Sequence, residues 1–252
     1  MENKKEEAIV KVIDMALNVP GVRVDRNDFL YKQFYKSTYD VNKILDTSPL
    51  SAGVSKNELY KISNGCVKFQ TTKATLGSMG AGAITAIPFI GSAIGLTAGA
   101  TMDLVQFYAN VFIIMQKMLY LYGFDTDNLT NEELKNELLL FLGIMSGIGS
   151  VEKAIQKICQ EVAEGALEKG LASQALNNVS RKLATTILTK VGLEVTEGNI
   201  AKMLSKGIPV FGSAVSGVLT YATFKPMAKR LLNFLDESCK NNIISAVSYW
   251  DN

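Results

Sequence analysis

Apolar residues recur at helical spacing along almost the whole chain, and no stretch alternates apolar with polar residues as a half-buried strand would. Ala8, Ile9, Val12, Ile13, Ala16 and Leu17 predict a short helix over Lys4–Asn18, ended by Pro20-Gly21. A second helix is expected from about Asp28 to Ile44, carrying Phe29, Leu30, Phe34 and Tyr35, with Asp25 or Asn27 as its cap. Thr47-Ser48-Pro49 breaks the pattern. Ser55, with Glu58 three residues on, has capping-box spacing and opens a third helix. Its Leu59, Ile62, Cys66 and Phe69 lead into Ala74–Met102, a run without a charged residue.

Inside that run lies Ile84–Thr101, built mainly from Gly, Ala, Ser, Thr and Ile around one proline. The segment IPFIGSAIG at Ile87–Gly95 returns as IPVFGSAVSG at Ile208–Gly217. Pro88 should interrupt a helix, because it lacks an N–H and clashes with the preceding turn. Gly91, Gly95 and Gly99 follow at four-residue spacing and form a ridge on which another backbone can pack closely. The next helix, Thr101–Tyr122, is apolar nearly all round, which places it in a protein core or in lipid. Asp103, Gln106, Asn110 and Lys117 interrupt it on one narrow face, at about 100° per residue. Gly123 caps its end.

Thr130 and Glu133 form a second capping box for a helix from Asn131. From Ser150 to Val191 the chain is amphipathic and charged. Thr196 can open a short helix to Lys206. The second Pro-Gly element, Gly207–Phe224, contains Pro209 and Gly212, and Pro226 fits the first turn of a final amphipathic helix.

These elements predict one all-α domain over residues 1–252, a multi-helix bundle with a buried Gly/Pro-rich apolar core. It divides into N-terminal helices (1–75), a first apolar element (76–123), an amphipathic middle (130–206) and a second apolar element (207–250). The two Ile-Pro-x-x-Gly elements are expected to occupy equivalent, touching positions at the centre.

Composition narrows the chemistry. The net charge of +2 and the lack of any RNA- or DNA-binding motif give no reason to expect nucleic acid as a partner. The chain has no histidine, which removes His-based triads and His metal sites. Cys66, Cys159 and Cys239 are far apart without metal spacing and read as buried free thiols suited to a reducing cytosol. The N-terminus MENKKEEAIV has no apolar signal core, so a cytoplasmic location is expected. Ser146 and Ser150 have no base beside them in sequence. Asp125 and Asp127 lack EF-hand spacing, and SMGAGAIT lacks the Lys-Ser/Thr of a P-loop. No catalytic residue, metal or cofactor is therefore expected. The polar stripe Asp103, Gln106, Asn110 and Lys117 is the candidate site, with two readings. Asp103 pairs with a basic residue such as Lys225 or Lys229, or the stripe floors an apolar cavity that holds a lipid headgroup.

The order of motifs resembles the EcsC family of bacterial proteins. It comprises PGVRVDRNDFL at Pro20–Leu30, IPFIGSAIG, an Asp heading a long apolar helix that ends in Gln116 and Tyr122-Gly123-Phe124-Asp125, and IPVFGSAVSG. The resemblance covers nearly the whole chain. It implies importance for Pro88, Gly91, Asp103, Gln116, Tyr122, Gly123, Pro209 and Gly212 and assigns none of them a role. The expected function is non-enzymatic: a cytosolic protein that binds lipid or docks reversibly at the inner face of the membrane, in envelope stress or defence. Two alternatives stand beside it, a membrane-perturbing effector that inserts its central apolar hairpin and a hydrolase-like enzyme acting on a lipid-like substrate.

Overall fold

Helices account for all the regular structure in the described part of this computed structural model, which comprises residues 2–77, 98–124, 126, 129–164, 169–193 and 213–240. They are α1 (Glu2–Leu17), α2 (Arg26–Phe34), α3 (Val41–Asp46), α4 (Lys56–Gly77), α5 (Ala98–Leu121), α6 (Asn131–Met145), α7 (Gly149–Ala163), α8 (Lys169–Leu193) and α9 (Ser213–Lys240). Among the described residues there is no strand.

Helix α5 is the axis of the packing, with α1, α2, α4, α6 and α9 all set against it. Its buried residues run from Leu104 and Val105 through Tyr108, Phe112, Met115 and Met118 to Tyr122. The core continues into α6, where Leu138 to Met145 are buried on every side, and into α9 through Phe224, Leu231, Leu232 and Leu235. Aromatic edges meet faces within it. Phe124 and Phe141 lie 5.5 Å apart at 84°, and Phe107 and Phe224 lie 6.3 Å apart at 87°. Among the described helices, α4 and α9 form the most extensive pair, and α6 packs chiefly on α8.

Several boundaries follow from local chemistry visible in the sequence. Asp25 caps α2 by accepting from the Asp28 N–H at 2.7 Å. Ser55 Oγ accepts from the Glu58 N–H at 3.2 Å as α4 begins. The Thr130–Glu133 capping box forms in both directions. Gly123, at φ 91°, ends α5 in a Schellman turn, with its N–H on the Tyr120 carbonyl and the Phe124 N–H on Leu119. Gly147, at φ 71°, repeats the device after α6, through Gly147 N–H to Ile144 and Ile148 N–H to Gly143.

Two expectations are corrected. The helix expected over Asp28–Ile44 is two helices, because the chain leaves α2 after Phe34 and Asp40 caps a new one by accepting from the N–H groups of Asn42 and Lys43. Arg26, buried on α2, then ties the pair by donating to the carbonyls of Leu45 at 2.7 Å and Thr47 at 2.6 Å, at the negative end of α3. Pro226 does not open the last helix. It lies well inside α9. A proline there leaves the carbonyl four residues back without its helical partner. That residue, Ala222, is exposed, so water can take the carbonyl while the helix is held by its packing on α4.

The expected helix at Thr196–Lys206 lies outside the described residues, as do Pro88, Gly91, Gly95, Pro209 and Gly212. The proposed contact between the two Pro-Gly elements therefore lies outside them too. Gly99 is in the first turn of α5.

Candidate functional site: a groove between α2, α4 and α5

The polar stripe of α5 meets α4. Gln70 Nε2 donates to Asn110 Oδ1 at 2.9 Å, with both residues buried, and Asn110 Nδ2 returns to the Gln106 carbonyl at 2.8 Å. Lys117 Nζ approaches the other end of the same Gln70 amide, at 3.5 Å from Oε1. One α4 side chain thus joins two members of the stripe, Asn110 and Lys117. Gln106 is half-buried. Asp103 is in α5, and its side chain lies outside the described residues. Lys229, considered from sequence as a partner for Asp103, donates to Asn64 Oδ1 on α4 at 2.6 Å and lies over the Tyr60 ring.

Lys117 also reaches a groove of about 960 Å³, at the upper end of the range of about 300–1,000 Å³ for small-molecule sites. Helix α2 contributes Asp28, Phe29, Lys32 and Gln33, helix α4 contributes Ile62, Gly65, Cys66, Phe69 and Lys73, and helix α5 contributes Ile113 and Lys117. The segment Gly21–Asp25 closes one end. The lining is amphipathic. Phe29, Ile62, Phe69 and Ile113 give it apolar walls, and each helix adds a lysine, Lys32 and Lys73 exposed and Lys117 half-buried. Phe69 is 66% exposed, an unusual setting for a phenylalanine, and it stands on the groove wall.

The closing segment is held from within. Gln116, fully buried on α5, donates to the Val22 carbonyl at 2.8 Å and accepts from the Val24 N–H at 3.1 Å. The Tyr120 hydroxyl donates to the Val24 carbonyl at 2.9 Å and shares a second bond with Thr126 at 2.7 Å. Arg23 anchors the outer side through the Leu129 carbonyl at 2.9 Å and Asn131 Oδ1 at 3.2 Å. Tyr122, one turn below Met118, is buried among residues of α4 and α9, and burial, then the nearby Asp236 charge, pushes its hydroxyl ionisation well up. Gln116 and Tyr122 therefore act in the core, behind the groove.

The electrostatics of the groove centre on Lys117. Burial pushes its ammonium below the usual lysine range, Cys66 raises it again, and Lys73 lowers it further. Its Nζ lies 5.9 Å from the centre of the Phe29 ring. Burial also raises the Cys66 thiol, partly offset by Lys117; Cys159 and Cys239 are buried as expected, but Cys66 is only half-buried, because it stands on the groove wall. Lys32 is paired with Asp28 at 2.7 Å. A smaller cleft of about 330 Å³ beside α1 and the start of α6 is bridged by the Lys135–Asp14 ion pair.

Among the described residues, no three Cys, Asp or Glu side chains converge as a metal site would need. Asp125 and Asp127 lie outside them. Sequence reasoning missed Phe29, Ile62, Phe69, Ile113 and Lys73 as members of one site. The available signal was the stripe Ile62, Cys66, Phe69 and Lys73, which keeps one helical face over three turns and ends in a cation.

Comparison with protein-family models, with curated proteins and with solved structures finds no match to this chain.

Proposed function

We propose that this is a non-enzymatic, EcsC-like protein that binds a lipid or similar amphiphile and docks reversibly at the inner face of the membrane. The observation that carries the proposal is the amphipathic groove, with apolar walls from three helices, a cationic rim and an exposed Phe69 on one wall. An alkyl chain gains about 25 cal/mol for each Å² of apolar surface it removes from water, and a cationic rim favours an anionic surface nearby. The N-terminal half of the chain supplies both.

The position of α5 supports docking over insertion. Its segment Leu104–Leu121 is long and apolar enough to cross a membrane, yet 72% of it is buried inside the protein. Asn110 and Gln116, which would be costly in hydrocarbon, already have protein partners. Moving α5 into a bilayer would break those bonds. The hairpin proposed from sequence for insertion, Ile84–Thr101, lies mostly outside the described residues.

The test is mass spectrometry of protein purified without detergent, under conditions that preserve non-covalent complexes. A co-purified amphiphile, lost from a Phe69→Asp, Ile113→Asp double variant, is the expected result. Protein that carries no lipid, and acquires none on exposure to extracted membrane lipid, would overturn the proposal. Dye release from loaded vesicles separates docking from perforation: docking leaves the dye inside.

A further inference from the structure

The groove is not electrically even. Lys117 lines it half-buried, with its Nζ 5.9 Å from the centre of the Phe29 ring and the Lys73 charge near enough to act on it. The Lys117 Nζ lies 3.5 Å from Oε1 of the neutral Gln70 amide. Among the described residues no carboxylate forms an ion pair with it. The acidic groups on the groove lining are Asp25 and Asp28, both at the α2 edge. Asp25 is engaged by the first turn of α2, and Asp28 by Lys32. Two ammonium groups, on Lys117 and Lys73, thus line the groove without a counter-charge from the α2 edge. An amine brought partly out of water beside a like charge is disfavoured, and burial and Lys73 both depress Lys117 accordingly.

We infer that the groove selects an amphiphile with an oxyanion head, a carboxylate or a phosphate monoester on an alkyl chain. The head seats between Lys117 and Lys73, and the chain lies along Phe29, Ile62 and Phe69. The inference rests on the amphiphile reading above and adds the chemistry of the head. An anion at that point supplies the counter-charge that Lys117 lacks and offsets its repulsion from Lys73. Hydrogen bonds between ionised partners are shorter and roughly twice as strong as neutral ones. An alcohol head cannot supply that charge, and a choline head would bring a third cation. The Gln70 amide fixes where the ammonium sits, because its other end is held by Asn110 at 2.9 Å.

Titration calorimetry on the full chain tests this with decanoate, decyl phosphate, decanol and inorganic phosphate, each below its aggregation limit. Decanoate and decyl phosphate are expected to bind, decanol about tenfold more weakly, and inorganic phosphate alone far more weakly than decyl phosphate. Lys117→Met should lower decanoate affinity about tenfold and leave decanol unchanged, while Lys117→Arg keeps most of the decanoate affinity. Lys73 is exposed, so Lys73→Met gives a second variant that does not disturb the core, with a smaller loss of about threefold. Decanol binding as tightly as decanoate would overturn the oxyanion head and leave the amphiphile reading standing. Failure of all three alkyl ligands would overturn both. Inorganic phosphate binding as tightly as decyl phosphate would make this a simple anion site.

Discussion

Gln70 on α4 and Asn110 on α5 share a buried amide–amide hydrogen bond of 2.9 Å, and this bond sets the distance between two walls of the groove. Removing one partner leaves the other buried without its bond, which typically costs about 1–3 kcal/mol. Asn110→Leu is expected to lower stability by that amount in urea unfolding. Gln70→Leu should do the same and also release Lys117. The double variant, with neither amide left to orphan, should be more stable than the sum of the two losses implies. Strict additivity would mean that the bond contributes nothing of its own.

Gln116 joins the core to the segment that closes the groove. Its amide donates to Val22 and Phe112 and accepts from Val24. Gln116→Leu fills similar space but strands a buried backbone carbonyl and an N–H, so a loss of about 2–4 kcal/mol is expected. Amide hydrogen exchange should locate the loosening at residues 21–25 before it affects α6. Protection unchanged at Val24 would show that the segment is held without Gln116.

Two glycines in helices should respond in opposite directions. A Cβ on Gly143 would lie 2.9 Å from Val151 Cγ2 and 3.1 Å from Ile187 Cγ1, so α7 and α8 both press on that point of α6. Gly143→Ala is expected to destabilise by about 1–3 kcal/mol. Gly65, on α4, has nothing within 4 Å of that position, and Gly65→Ala should stabilise by about 0.5–1 kcal/mol through helix propensity. Thermal melts of the two variants shifting the same way would contradict this account of the packing.

How much of this was legible in the sequence is clearest on α4. The apolar positions that mark this helix in the sequence are Leu59, Ile62, Cys66 and Phe69, and of these only Leu59 is fully buried. The core face is Leu59, Ser63, Val67, Gln70, Thr71 and Ala74, half of it polar. A periodicity reading ranks faces by apolarity and cannot weigh a Gln that has a buried partner forty residues away. Caps were legible because their bonds are local, as at Asp25, Thr130 and Gly123. The break between α2 and α3 carried the same kind of signal in Asp40, which the amphipathic run around it masked. Of the candidate stripe, Lys117 reaches the groove and Asn110 braces its wall, but the apolar lining was not legible. It comes from three helices whose mutual placement is tertiary.

Alkaline pH tests burial directly. Cys159 lies buried on α7, and burial raises its thiol from the ordinary 9.0 to about 12. The folded form keeps this proton where the unfolded chain has lost it. Its contribution is therefore complete below pH 9 and is lost as pH rises towards 12. One such group gives a slope of about 1.4 kcal/mol per pH unit within that window. In Cys159→Ala, stability near neutral pH should fall modestly and the alkaline slope should become shallower than in the unaltered protein. Identical slopes would mean that the thiol is open to solvent.

Flotation with vesicles of mixed phosphatidylglycerol and phosphatidylethanolamine tests the proposed membrane docking most directly, comparing the unaltered chain with Phe69→Asp. Phe69 is largely exposed, so the substitution should leave stability within about 0.5 kcal/mol, which a melt can verify. The unaltered chain is expected to rise with the vesicles and Phe69→Asp to stay in the dense fraction. An unaltered chain that remains at the bottom, or two proteins that float alike, would contradict a groove-centred membrane contact.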